Sequence, residues 1–228
     1  MLGAAQAFEL VGLVVRSRAV LALLSVVILA GCSVSTGSGR LTSDTRQVSG
    51  FSKVEFTGPG ELAIEQTRTE SLRISADDNL LPKLTSEVSG GTLILRPERG
   101  AKIINTKPIS YSLTVKDLTS LAVSGSGSIT MSKLATTALS TSISGSAAIT
   151  ASGTADDQDL KISGSARYQA EQLISKSVKI DISGSGIATV NASEVLDVQM
   201  SGSGTVTYTG DPQRVNQQIT GSGKLIKR

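Results

Sequence analysis

The chain of 228 residues contains no histidine and no tryptophan, one cysteine, three phenylalanines, three tyrosines and five prolines. Without histidine the commonest general base and metal ligand is missing, and a Ser–His–Asp arrangement cannot be built. A single cysteine excludes an intrachain disulfide. Cys32 also falls in a processing signal, described below, which excludes a cysteine nucleophile and thiolate metal sites. Aromatics are 3% and charged residues 18% of the chain, the latter below the usual value of about a quarter. The interior must therefore be assembled from Val, Ile, Leu and Ala, which suits a narrow, regular core. The formal charge of +3 comes from 22 basic and 19 acidic residues. They are scattered rather than gathered into a stripe, so nothing points to nucleic acid.

The longest apolar run, Ala19 to Ala30 (AVLALLSVVILA), follows Arg16 and Arg18. It is short for a spanning helix and has the form of a signal-peptide core behind a positive segment. It ends in Leu29-Ala30-Gly31-Cys32, which resembles a bacterial lipobox, cleaved before the cysteine and acylated on it. Several acyl chains bury enough CH₂ groups for stable anchoring, where one chain is marginal. Ser33 follows the cysteine in place of aspartate, which by resemblance to enteric sorting implies the outer membrane. The polar, Gly- and Ser-rich stretch over 32–49 reads as a flexible tether between a signal peptide at 1–31 and a domain at 50–228.

The second half of the chain repeats one tetrad. It reads SGSG at 124–127, SGSA at 144–147 and 163–166, SGSG at 183–186 and 201–204, and TGSG at 220–223. Gly125, Gly145, Gly164, Gly184, Gly202 and Gly221 are thus spaced by 20, 19, 20, 18 and 19 residues. Such regularity signals stacked supersecondary units, each covering its neighbour's apolar surface. Two residues before these glycines stand Val123, Ile143, Ile162, Ile182, Met200 and Ile219. Four after them stand Ile129, Ile149, Tyr168, Ala188, Val206 and Leu225. Apolar columns on both sides make the tetrad a corner, where glycine tolerates positive φ and serine can bond to the local backbone. No phosphate-loop sequence is present, and no aspartate follows the paired glycines as a calcium solenoid would require.

A coil of about 19 residues at about 3.3 Å per residue, with corners, fits a rung of two or three short strands. The fold class expected is all-β, a parallel β-helix, with a β-sandwich as the alternative. Val54, Phe56, Leu62 and Ile64 around Gly58 keep the same frame. Leu72 and Ile74 before Ser75-Ala76, and Val88 with Ile94 around Ser89-Gly90, read as the same pattern with insertions. Atypical early coils are expected to cover the open end of the stack.

The opening Phe51-Ser52-Lys53-Val54-Glu55-Phe56-Thr57-Gly58-Pro59-Gly60, the segment Ala76-Asp77-Asp78-Asn79-Leu80-Leu81 and the serial tetrads together resemble a domain family of unknown function. It is the "putative autotransporter adhesin, head GIN" family, and the resemblance runs from Gly50 to Lys227. It implies a right-handed β-helix on a secreted or lipid-anchored bacterial envelope protein, and it carries over no catalytic residue.

What remains for catalysis is carboxylate chemistry on a polysaccharide, with Asp77 and Asp78 or Asp156, Asp157 and Asp159 as candidates. Both groups read more simply as a turn between Ile74 and Leu80 and a loop over Thr154–Gln158. Tyr111, Tyr168 and Tyr208 are too few to supply an aromatic sugar platform. The expectation is therefore a non-enzymatic, lipid-anchored envelope protein without cofactor or metal, offering a β-helical face for binding or adhesion. The alternatives are a periplasmic structural or assembly protein and an aspartate-based carbohydrate-active enzyme. The partners expected are the membrane through acylated Cys32, an envelope protein or glycan, and a second copy through a terminal β edge at Leu225-Ile226.

Overall fold

In a computed structural model the described residues are 33–228; the signal peptide expected at 1–31 and the expected lipidation residue Cys32 lie outside them. Seventeen strands and one 3₁₀ turn (Leu81–Lys83) make up the described chain. The regular stack consists of β11 (Ser128–Gly145), β12 (Ala148–Gly164), β13 (Arg167–Gly184) and β14 (Ile187–Gly202), each one rung long. Each strand bends midway, and the bends coincide with register shifts such as that between Met131 and Leu134. The halves before the bends form one parallel ladder and the halves after them form another.

The ladder before the bends is extended by β4 (Glu61–Gln66) and β9 (Ser110–Val115) on one side. On the other side β15 (Thr205–Thr209) and β17 (Lys224–Lys227) continue it. The ladder after the bends is extended by β10 (Ser120–Gly125), β3 (Lys53–Thr57) and β7 (Thr92–Pro97), and by β16 (Arg214–Gly221). This is a β-solenoid of about five turns; the sandwich alternative does not apply.

The corners behave as the tetrads require. The six corner glycines have φ between +110° and +125°, backbone that a side chain rarely adopts. From the second corner onward, the residue directly after the corner glycine donates its amide backward across one rung. Ser146 N bonds Gly125 O at 3.0 Å, Ser165 N bonds Gly145 O at 3.0 Å and Ser185 N bonds Gly164 O at 2.9 Å. These amides are committed to the neighbouring rung, which fits a corner device.

The apolar columns stack in register. Phe56, Val123, Ile143, Ile162, Ile182 and Met200 are successive partners in one ladder, and Leu62, Ile129, Ile149, Tyr168, Ala188 and Val206 in the other. All are buried. Tyr168 occupies an isoleucine position with no exposed surface, and small residues Ala147, Ala151, Ala166, Ala170 and Ala188 in the same core offset its bulk. Its hydroxyl accepts a hydrogen bond from Gln158 Nε2 at 2.5 Å. Burial pushes its phenol up to about 12, with the Gln158 hydrogen bond and the nearby Thr141 side chain acting in the lowering direction.

The early coils depart from the expected pattern. Leu72 and Ile74 lie on β5 (Ser71–Asp77), which runs antiparallel to β9 and is no rung. Val88 lies on β6 (Leu84–Ser89), joined to β7 in an antiparallel hairpin. Gly90 and Gly91 form its turn with φ of +55° and +74°, the pair of positive values that a two-residue hairpin turn demands. The inward residues of β7 are accordingly Leu93 and Leu95, not Ile94.

The expected flexible tether is corrected as well. Residues 33–46 are strand-paired: β1 (Ser33–Thr36) runs parallel to β8 (Ala101–Ile104), and β2 (Leu41–Arg46) antiparallel to β5. Polar composition misleads here because these are edge strands, whose outward side chains face water. The antiparallel β2, β5 and β6 close one end of the stack, as terminal units must.

Candidate binding face

Five residues before each corner glycine the side chain points outward on the ladder that ends at the corner. The register places Ser140, Asp159, Lys179, Asp197 and Asn216 side by side. Rungs are about 4.8 Å apart, so Lys179 stands between two carboxylates. Three residues before the glycine a second row holds Ser142, Lys161, Asp181, Gln199 and Gln218, and one before it the hydroxyls of Ser144, Ser163, Ser183, Ser201 and Thr220.

Four shallow depressions lie along these rows. One of about 230 Å³ is lined by Ser140, Asp157, Asp159, Lys179 and Asp197 together with apolar Ala138, Leu139 and Val178. The next, of about 400 Å³, is lined by Lys179, Asp197, Gln199, Asn216 and Gln218. Two of about 220 and 170 Å³ follow along the second and third rows. Asn216 Nδ2 donates to Asp197 Oδ1 at 2.5 Å, and Lys161 Nζ reaches Asp159 at 4.0 Å. Oδ1 of Asp159 is covered and has no hydrogen-bond partner among the described residues. The face offers donors, acceptors and both charges on a flat, repeating grid. That suits an extended polar ligand contacting several rungs.

The candidate aspartates separate into different roles. Asp77, expected in a turn, is the last residue of β5 and has no exposed surface. Burial alone would raise its carboxyl. Bonds from the Thr106 hydroxyl (2.7 Å), the Lys107 amide (3.1 Å), the Thr106 amide (3.0 Å) and the Gly39 amide (2.8 Å) hold it instead at about 2. It is a latch between three segments. Asp78, in the turn as expected, faces Arg40 at 3.6 Å. Asp156, Asp157 and Asp159 lie within β12, not in a loop. Asp156 pairs with Lys176 at 2.9 Å, while Asp157 and Asp159 share the first depression. Asp77 and Asp78 are not brought to one groove; of the second group Asp157 and Asp159 line one depression and Asp156 does not. Among the described residues no group of three or more acidic side chains is placed to hold a metal ion.

The latch makes a pH prediction. The folded value of Asp77 lies below its ordinary one of 3.8. Its stabilisation is therefore complete above about pH 4 and is lost as pH falls from there through about 2. The Asp77→Asn variant should melt several degrees lower at neutral pH and lose most of the acid-side fall that the parent shows, as read by circular dichroism. An unaltered melting curve across that range would mean that the latch contributes nothing.

A family profile described as "Putative auto-transporter adhesin, head GIN domain" matches residues 50–212. The chain belongs to this family. No curated protein matches the sequence. Among solved structures, a "putative adhesin" from Bacteroides fragilis NCTC 9343 is similar, with 22% identity and a TM-score of 0.67 over 85% of this chain and 100% of that one. A "putative lipid binding protein" from Parabacteroides distasonis ATCC 8503 has 25% identity and a TM-score of 0.53 over 86% and 100%. A "putative adhesin" from Parabacteroides merdae ATCC 43184 has 18% identity and a TM-score of 0.55 over 86% and 99%. The head GIN match begins at Gly50, so the profile leaves out β1 and β2, although both strands pair with the domain.

Lys179, Asp197, Ser140 and Asn216 belong to no motif and were not singled out as a site by sequence reasoning. The signal was available: counting back five from each corner glycine gives the row directly.

Proposed function

We propose that this head GIN domain is a non-enzymatic binding module, anchored in the bacterial outer membrane through acylated Cys32. Its ligand face is the grid of Ser140, Asp159, Lys179, Asp197 and Asn216. The observation that carries the reading is the run of four adjoining depressions on one polar ladder face. An extended glycan or an envelope protein strand has the repeating polar character that such a face complements. Similarity to proteins described as adhesins supports the class, and the lipobox Leu29-Ala30-Gly31-Cys32 supports the anchor.

The test has two readouts. Cys32→Ser should abolish palmitate labelling and release the chain from the membrane fraction; labelling that persists refutes the anchor. Lys179→Glu sets three like charges in a row and should weaken binding of the purified chain to a bacterial glycan array by about tenfold or more. Binding equal to the parent's removes this face from the proposal.

A second reading, a periplasmic assembly protein, draws on β16 and β17. Each is paired on one side only among the described residues, and Val215 and Ile226 are 39% and 45% exposed. Such an edge can pair with a second copy or another envelope protein. Protease added to intact cells separates the readings, since only an outward-facing domain is cut.

A further inference from the structure

The strand pairing of residues 33–36 leaves no slack between Cys32 and the folded domain. Ser33 is the first residue of β1, and the β1–β8 ribbon is fastened at several points. Gly37 N donates to Ile104 O at 2.8 Å, Asn79 Nδ2 donates to Thr36 O at 2.8 Å, and the Asp77 latch holds Gly39, Thr106 and Lys107. An acyl group on Cys32 would therefore hold this ribbon within one residue of the bilayer, instead of at the end of a loose tether.

The ribbon's two faces differ in the way such a position requires. Its inner side carries Ser35, which is buried, and Ile103, which packs on the core. Its outer side carries Val34 beside Lys102 and Thr36 beside Ile104 in register. Val34 is 56% and Ile104 47% exposed, and Leu41 at the start of β2 is 59% exposed. The other exposed large apolar residues of the described chain, Val88, Ile174, Ile187, Val215 and Ile226, lie on strands or bends elsewhere. Lys102 and Lys107 make no ion pair among the described residues. Apolar side chains interleaved with unpaired cations are what an interfacial surface presents to anionic headgroups.

We propose that the outer face of the β1–β8 ribbon is a membrane-contact surface. Val34 and Ile104 enter the headgroup layer and Lys102 meets lipid phosphate, so that the acylated chain is held flat against the bilayer. This rests on the acylation of Cys32 and adds an orientation to it. The consequence is that the solenoid is presented in one fixed attitude rather than swinging on a linker.

The test uses the full chain, purified from envelopes in detergent and reconstituted into phosphatidylethanolamine–phosphatidylglycerol vesicles that carry nitroxide-labelled lipid. Acylation blocks the thiol of Cys32, so Ile104→Cys and, as a control on the ladder face, Gln199→Cys each accept one fluorophore. Quenching at position 104 should be several-fold stronger than at 199 and should fall when Val34→Ser and Lys102→Glu are added. Equal quenching at both positions, in a chain whose Cys32 carries acyl label, overturns the contact surface and leaves the anchor standing. A label at 104 shielded from water but not quenched by lipid assigns the face to a protein neighbour and also overturns it. A parent chain with a reactive Cys32 thiol and no acyl label overturns anchor and contact surface together.

Discussion

Gly184→Val should lose about 3–5 kcal/mol of stability, close to the largest single effect available in this fold. Gly184 has φ of +122°, and a Cβ there would stand 2.6 Å from the carbonyl oxygen of Gly164 in the rung beneath. Backbone strain and a clash with backbone thus act together, and neither atom belongs to a side chain that could swing away. Ser185→Ala, one residue on and exposed, should change stability by no more than about 0.5 kcal/mol. Urea melts of the two variants give the comparison, and equal midpoints would overturn the corner geometry.

The second large effect is expected at Tyr168, a fully buried side chain in the middle of the stack. Tyr168→Ala removes a ring from between close-packed rungs and should cost about 3–5 kcal/mol as lost burial and cavity. It also strands Gln158 Nε2, whose only acceptor among the described residues is the Tyr168 hydroxyl, a further cost of about 1–3 kcal/mol. The two contributions can be separated. Tyr168→Phe should show only the smaller one, and combining it with Gln158→Leu should recover most of that loss, since no buried donor then lacks a partner. Thermal melts that leave Tyr168→Phe as stable as the parent, or the double variant no better than the single, would break this account.

Part of the architecture is legible in the sequence because one corner is chemically constrained. Where φ near +120° meets a carbonyl of the rung below, only glycine fits, so Gly145 through Gly221 recur visibly, and Gly125 is required by its φ alone. The opposite bend has no such requirement. It is made with Lys133 at φ +56° in one rung and Gly153 at φ +127° in the next, and in β13 and β14 with register shifts instead of a glycine. Nothing periodic marks it, so the chain alone left two or three strands per rung open. The end structures were hidden for a related reason. Leu72 and Ile74 alternate as any strand does, and alternation alone carries no direction, so an antiparallel β5 reads like a rung. The binding face was half legible: its rows sit at fixed offsets from the corner glycines, but where depressions open along them depends on packing between rungs.

The hydrogen bonds at the corners all run one way. Ser146, Ser165, Ser185, Ser203 and Ser222 each donate their amide to the rung that precedes them in the chain. A newly emerging rung thus finds its acceptors already set out by the one before, while the closed end built from β2, β5 and β6 supplies the first surface. Order of synthesis and order of stacking then coincide. Each rung after that surface thus has a template with its acceptors in place, the condition for stacking to proceed by growth from a neighbour.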